Sequence, residues 1–255
     1  MKIAILGAGA FGTALGGVLA DKGYDIDYYD VEIEKERLMD VLVKAKYIVL
    51  AVPSNVAPHL LPWIPKNIPL IVATKGFLDM HNFEGFRDVM VISGPGFAQD
   101  IKAGKPTKLT ATDMRVVDLF GTERLTFDYT VDKLGVLMCG ALKNVYAIYA
   151  GKLNLERDSQ EYEQYIETAA EEMREILALN GAEAATVDFE CGVGDLRLTC
   201  GLPSRNFEFG LMLAKNPAAK PEQTVEGITT LERIRRGQIR VPENAQILRE
   251  MMAWD

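Results

Sequence analysis

The glycine run Gly7-Ala8-Gly9-Ala10-Phe11-Gly12 constrains this chain more than any other feature. Ahead of it, Ile3 to Leu6 is a short apolar stretch that reads as a buried strand, and behind it Ala10 to Lys22 reads as a helix closed by Gly23. Between a strand and a helix, a G-x-G-x-x-G string gives each glycine a task. Gly7 permits a tight turn, Gly9 lets backbone approach a pyrophosphate, and Gly12 lets helix and strand pack closely. The helix N-terminus adds unpaired N–H groups and the positive end of the dipole. In this context the motif predicts a dinucleotide site; an ordinary glycine-rich turn is the competing reading.

The first half continues the same alternation. Asp25 to Tyr29, Tyr47 to Val52, Pro69 to Ala73, Val89 to Ile92, Lys108 to Ala111 and Leu125 to Tyr129 are strand candidates, and Ile33 to Lys44 reads as a charged, exposed helix. Alternation of this kind implies a parallel sheet with helices on both faces, an α/β fold of the doubly wound Rossmann type. Near Asp132 the pattern changes. Leu134 to Ala150 is an almost wholly apolar helix, Gln160 to Leu179 a second long one ended by Asn180 and Gly181, and strand signals then largely vanish. The expected division is a dinucleotide-binding domain over residues 1–130 and an all-α substrate domain over 131–255. A chain of 255 residues, 48% hydrophobic, can give both halves a core.

Asp30 ends the second strand, roughly twenty residues beyond the glycine motif, where a carboxylate meets the ribose hydroxyls of a dinucleotide. A helix N-cap is the alternative, since Glu32 to Arg37 follows. Lys143 and Asn144 interrupt the helix Leu134 to Ala150, which has no other charged residue. A lysine at the centre of a membrane span costs about 2.5–3.5 kcal/mol, so a buried core helix with a functional pair is the better reading. Gly140 lies one turn earlier and leaves room for a ligand. A buried ammonium needs a partner, and Asp195, in the glycine-flanked turn Gly192-Val193-Gly194, is the natural candidate, with Thr199 close behind. Lys143 in a purely structural ion pair is the alternative.

Ser204-Arg205-Asn206 presents a hydroxyl, a guanidinium and an amide in sequence, a set that matches phosphate oxygens; a helix N-cap at Ser204 competes with it. Thr74-Lys75-Gly76 follows a sheet strand, at the edge where parallel sheets hold ligands. Only His59 and His81 are present, neither beside a carboxylate arrangement, so lysine is the leading proton donor. No cluster has metal-ligand spacing and no metal is expected. The formal net charge of -8 argues against nucleic acid or anionic membrane as partners and requires any phosphate site to be a local cluster of cations. Cys139, Cys191 and Cys200 show no CxxC spacing and read as reduced thiols of a cytoplasmic protein. Met1-Lys2-Ile3 runs straight into a strand pattern rather than a signal peptide.

Taken in order, Gly7-Ala-Gly-Ala-Phe-Gly-Thr-Ala-Leu15, Leu50-Ala-Val-Pro-Ser54, Ala73-Thr-Lys-Gly76, Ser93-Gly-Pro-Gly-Phe-Ala98, Gly140-Ala-Leu-Lys-Asn144, Gly194-Asp-Leu-Arg-Leu-Thr-Cys200, Ser204-Arg-Asn206 and Val225-Glu-Gly227 resemble the NAD(P)-dependent glycerol-3-phosphate dehydrogenases over most of the chain. The resemblance implies reduction of dihydroxyacetone phosphate to sn-glycerol 3-phosphate, for phospholipid synthesis, by a cytoplasmic homodimer using NAD or NADP. It implies that Lys143 handles the proton, that Asp195 and Asn144 orient it, that Lys75 polarises the carbonyl and that Thr199 supports the substrate. Ser204, Arg205 and Asn206 would meet the phosphate, with the Gly94 and Gly96 backbone near the substrate. Ala10, Phe11, Ala98, Arg205 and Glu226 would touch the cofactor. The stretches Asp30 to Tyr47 and Lys75 to Ser93 are shorter than the family usually has, Gly96 stands where a small polar residue is common, and Phe207 and Glu208 replace arginines.

Two other readings stand beside this one. A lysine-dependent dehydrogenase of the hydroxyacid or ketopantoate type would share the front domain and a lysine on a long helix. A non-catalytic dinucleotide sensor would keep the glycine loop alone.

Overall fold

The apolar runs of the first half become strands β1 (Lys2–Leu6), β2 (Asp25–Tyr29), β3 (Tyr47–Leu50), β4 (Leu70–Val72), β5 (Val89–Ser93), β6 (Thr107–Ala111) and β7 (Leu125–Tyr129). They form one sheet in the order β2-β1-β3-β4-β5-β6-β7. The computed structural model describes residues 1–30, 36–221 and 223–253. Helices α1 (Ala10–Asp21), α2 (Glu36–Val43), α3 (Ala57–Leu60), α4 (Ala98–Lys102) and α5 (Met114–Phe120) connect the strands. Of the helix expected from Ile33, residues 33–35 lie outside the described residues. His59 is in α3, and His81 falls in a short 3-10 turn, Met80–Phe83, where its Nδ1 lies 3.5 Å from the Asp79 carboxylate.

Strand order reverses between β1 and β3, because β2 lies to one side of β1 and β3 to the other. Such a reversal opens a crevice at the carboxyl ends of the two strands, where Gly7 and Ala51 follow β1 and β3. Ile3, Ile5, Val49 and Ile71 pack with Leu15 and Leu19 of α1 and with Val116 and Phe120 of α5. Their neighbours Ala4, Leu6, Ile48 and Leu50 are also fully buried, so both faces of the central strands are covered.

The sheet is not wholly parallel. β5 and β6 pair antiparallel, with Ile92 opposite Ala111 and Ser93 opposite Thr110, and β7 then runs parallel to β6. The five-residue α4 lies in the connection between β5 and β6.

The chain divides into two compact units, Met1–Lys133 and Leu134–Asp255. The second is built from α6 (Lys133–Lys152), α7 (Gln160–Leu179), α8 (Asp195–Thr199), α9 (Arg205–Lys215), α10 (Glu226–Arg235) and α11 (Gln246–Met252). α6 is long and apolar enough to cross a membrane, but 89% of its apolar window is buried within the protein. It is therefore the core helix of this unit. The Tyr165 hydroxyl donates to the Tyr146 carbonyl at 2.6 Å, and the buried Glu172 of α7 accepts from the Tyr146 hydroxyl at 3.1 Å and from the Ile247 N–H at 2.8 Å. Burial pushes the Glu172 carboxyl up, and those donors pull it back.

Candidate functional site

In the first unit the glycine loop has the shape a pyrophosphate needs. Gly7 has φ +109, and a Cβ there would stand 2.5 Å from the Ala51 carbonyl oxygen. A Cβ at Gly12 would meet the Gly7 oxygen at 2.0 Å. Only glycine fits either place. Nothing lies within 4 Å of the Gly9 Cβ position, so that backbone is open to an incoming group. Gly9 caps α1 without a side-chain hydrogen bond, and no acidic residue occupies the first helical turn. The leading N–H groups of the helix are thus available to an anion. Asp30, beyond β2, accepts a hydrogen bond from the Ala8 N–H at 2.8 Å, so its carboxylate faces the glycine loop. The adjoining Val31 to Lys35 lie outside the described residues.

Lys75 is half-buried after β4. Its Nζ donates to the Gly96 carbonyl at 3.1 Å and stands 4.3 Å from the centroid of the Phe11 ring. One ammonium thus joins the glycine loop to the Ser93–Ala98 segment. Gly94 has φ +143 and packs against the Leu109 backbone, which draws this segment tight against β6. Ala98 begins α4.

The second unit holds Lys143, the buried lysine at the centre of α6. Lys143 Nζ pairs with Asp195 Oδ2, and the two residues are 4% and 2% exposed. Asp195 is the first residue of α8, not part of a flexible turn. Glu190–Gly194 leads directly into α8 through a kink at Gly192, whose φ of -93 and ψ of -105 are not helical, and a Cβ on Gly192 would meet the Val187 oxygen at 2.1 Å. The Thr199 hydroxyl, one helical turn on, donates to Asp195 Oδ1 at 3.2 Å. Both carboxylate oxygens are therefore engaged, one by a cation. Cys200 follows, fully buried, with its thiol pushed up by burial.

Asn144 carries the site toward α9. Its Nδ2 donates to the Gly140 carbonyl at 3.0 Å, and its Oδ1 accepts from Asn206 Nδ2 at 2.9 Å. Asn206 Oδ1 in turn accepts from the Gly227 N–H at 3.0 Å, at the start of α10. Asn206 therefore ties three helices together. Ser204 caps α9 through the Phe207 N–H at 3.4 Å, and Arg205, the first residue of α9, is exposed. Glu226 opens α10.

Two residues at the far end of α8 escaped the sequence reading. The Tyr162 hydroxyl donates to the Arg197 carbonyl at 2.6 Å, and Arg157 Nη2 donates to the Leu198 carbonyl at 3.0 Å. Neither belongs to a recognisable motif, and no local pattern marks them.

Residues 132–251 match the family described as the NAD-dependent glycerol-3-phosphate dehydrogenase C-terminus. The chain is 32% identical to the glycerol-3-phosphate dehydrogenase [NAD(P)+] of Leptospira biflexa, covering 90% of this chain and 86% of that one. It is 28% identical to the enzyme of the same name from Neorickettsia sennetsu, over 92% and 85% of the two chains. Its fold is that of the solved glycerol-3-phosphate dehydrogenase from Coxiella burnetii, with a TM-score of 0.81, 24% identity and coverage of 99% and 94%. With the glycine loop, the lysine–aspartate pair and the asparagine bridge all formed, the chain belongs to the NAD(P)-dependent glycerol-3-phosphate dehydrogenase family.

Proposed function

We propose that this protein interconverts dihydroxyacetone phosphate and sn-glycerol 3-phosphate with a nicotinamide cofactor, NAD in preference to NADP. The observation that carries the reading is the Lys143–Asp195 pair, an ammonium held at a fixed place in an apolar helix by a carboxylate that Thr199 also grips.

In this reading the first unit is the cofactor domain. Gly7, Gly9, Ala10, Phe11 and Gly12 hold the pyrophosphate, Asp30 the ribose, and Ala98 lies along the dinucleotide. The second unit supplies substrate groups, and the family resemblance implies that Glu226 and Arg205 touch the cofactor. When bound, the nicotinamide supplies a hydride to the carbonyl carbon. As negative charge grows on the carbonyl oxygen, the Lys143 ammonium stabilises it and gives up a proton. Asp195 keeps Nζ in place before and after that transfer. Asn144 is positioned by Asn206. The family resemblance implies that Lys75 helps polarise the carbonyl, with the Gly94 and Gly96 backbone near the substrate. The phosphate is taken by Arg205, Ser204 and Asn206 at the N-terminus of α9, where guanidinium and helix dipole act together; a local cation is needed in a chain of charge -8. The product feeds phospholipid synthesis in the cytoplasm, and the enzyme works as a homodimer, both as the family resemblance implies.

The test is oxidation of NADH and of NADPH by the purified protein with dihydroxyacetone phosphate. Turnover that depends on the triose phosphate is expected. Turnover with small 2-keto acids or ketopantoate alone, the substrates of the hydroxyacid and ketopantoate-type dehydrogenases in this direction, or tight nucleotide binding without turnover of any of them, would overturn the reading.

A further inference from the structure

α8 has five residues, and a helix of that length is not stable by itself. Its N-terminal end is held by the pairing of Asp195 with Lys143. At its C-terminal end the last carbonyls have no partner within the helix, and the residues between α6 and α8 supply them. Tyr162 donates its hydroxyl to the Arg197 carbonyl at 2.6 Å, and Arg157 donates to the Leu198 carbonyl at 3.0 Å. Arg197 itself reaches back to Glu163 of α7 at 2.6 Å. The Tyr162 side chain is 1% exposed and its phenol is pushed up to about 12 by burial, so it remains a donor throughout the working range of pH.

Gly201 makes the arrangement possible. A Cβ there would stand 2.8 Å from Arg157 Nη2 and 2.9 Å from Nε, so the guanidinium occupies space that any side chain would take. α8 is thus gripped at both ends, one end facing Lys143 and the other facing Tyr162 and Arg157.

We propose that Tyr162 and Arg157 are positioning residues for the Lys143–Asp195 pair, acting through the carbonyl end of α8. Neither touches the reacting atoms. Together they fix where the helix lies along its axis, and so where the Asp195 carboxylate holds Nζ. The proposal rests on the proton-transfer role of Lys143 given above.

Two variants test it. Tyr162→Phe removes one hydroxyl and keeps the ring; Gly201→Ala places a methyl where the Arg157 guanidinium lies. Each is expected to lower kcat about three- to tenfold, the loss of one hydrogen bond expressed in rate, with KM for dihydroxyacetone phosphate unchanged. Arg157→Lys should recover part of what Arg157→Ala loses. The second readout needs no substrate: the pH titration of the Lys143 side chain, followed by NMR with 13C-labelled lysine and assigned by its loss in Lys143→Met. That titration should shift in both variants. If Gly201→Ala does not fold, Tyr162→Phe decides. Folded variants with wild-type kcat and an unmoved Lys143 titration overturn the proposal, as does a rise in KM at constant kcat. A wild-type protein inert toward the triose phosphate would refute the proposed activity, while the lysine titration would still decide whether Tyr162 and Arg157 position the pair.

Discussion

Lys143 and Asp195 stand 52 positions apart in sequence and pair inside the second unit, both almost wholly removed from solvent. A buried ion pair of this kind contributes little net stability, because desolvation offsets the attraction. Its value lies in holding an ammonium at one point. Breaking it from one side leaves a charge stranded.

Lys143→Ala is expected to lower turnover by about 10²–10⁴-fold, the usual worth of a general acid, with cofactor binding kept. It should also destabilise the fold by about 3–5 kcal/mol, since Asp195 is left buried and unpaired. Lys143→Met combined with Asp195→Leu should regain most of that stability and none of the turnover. Thermal unfolding and steady-state kinetics on the same samples separate the two effects. Near-normal turnover in a folded Lys143→Ala protein would remove Lys143 from the mechanism.

Arg205→Ala should raise KM for the phosphorylated substrate. A charge-assisted phosphate contact is worth about 1.5–3 kcal/mol, or roughly ten- to a hundredfold in affinity. Because Arg205 is exposed at the start of α9, its loss should leave the melting temperature within a degree or so of wild type, as for an ordinary surface substitution. A wild-type KM in this variant would mean that the phosphate is held elsewhere.

NADH should be preferred to NADPH. The Asp30 carboxylate faces the glycine loop through the Ala8 N–H, where it can accept ribose hydroxyls but would repel a 2′-phosphate. Arg37 is the cation of α2, and it lines a cavity with Asp27 and Asp40. The ratio of kcat/KM for the two cofactors, repeated in Asp30→Ala, decides the matter. A wild-type preference for NADPH sinks the idea; an unchanged ratio in the variant means that Asp30 is not the reader.

Acid should erode the first unit through Arg115. Its guanidinium donates to Asp88 at 2.8 Å and to Asp113 at 2.7 Å and holds both carboxyls below the usual range. Depressed carboxylate pKa values stabilise the fold above the unfolded-state value of about 4 and lose that contribution as pH falls through the folded-state values. Arg115→Leu should cost roughly 1 kcal/mol near neutrality, a modest figure because the groups are partly exposed. The gap in melting temperature between wild type and variant should close below about pH 4. A gap of constant size from neutral pH down to about pH 3 would show that the guanidinium acts by packing rather than charge.

By itself the sequence determined what depends on neighbours along the chain. Apolar runs and glycines lie within a few residues of one another, so β2, β7 and α7 could be read to their end residues, and the glycine loop could be read as a tight strand-to-helix turn. Lys143 and Asn144 stood out because a helix that is apolar all round leaves a charge conspicuous. Tertiary structure decided what depends on segments meeting. The reversal of β6 is visible only in its pairing, Ile92 with Ala111 and Ser93 with Thr110, and Asp195 became a helix residue because Gly192 can press against the Val187 backbone. Asn206, read as a phosphate ligand, also bonds Asn144, 62 positions away, and Tyr162 bonds the Arg197 carbonyl, 35 positions away. Local periodicity records which face of an element is buried, not which neighbour covers it. Those pairings come into being only when α6, α7, α8 and α9 pack together.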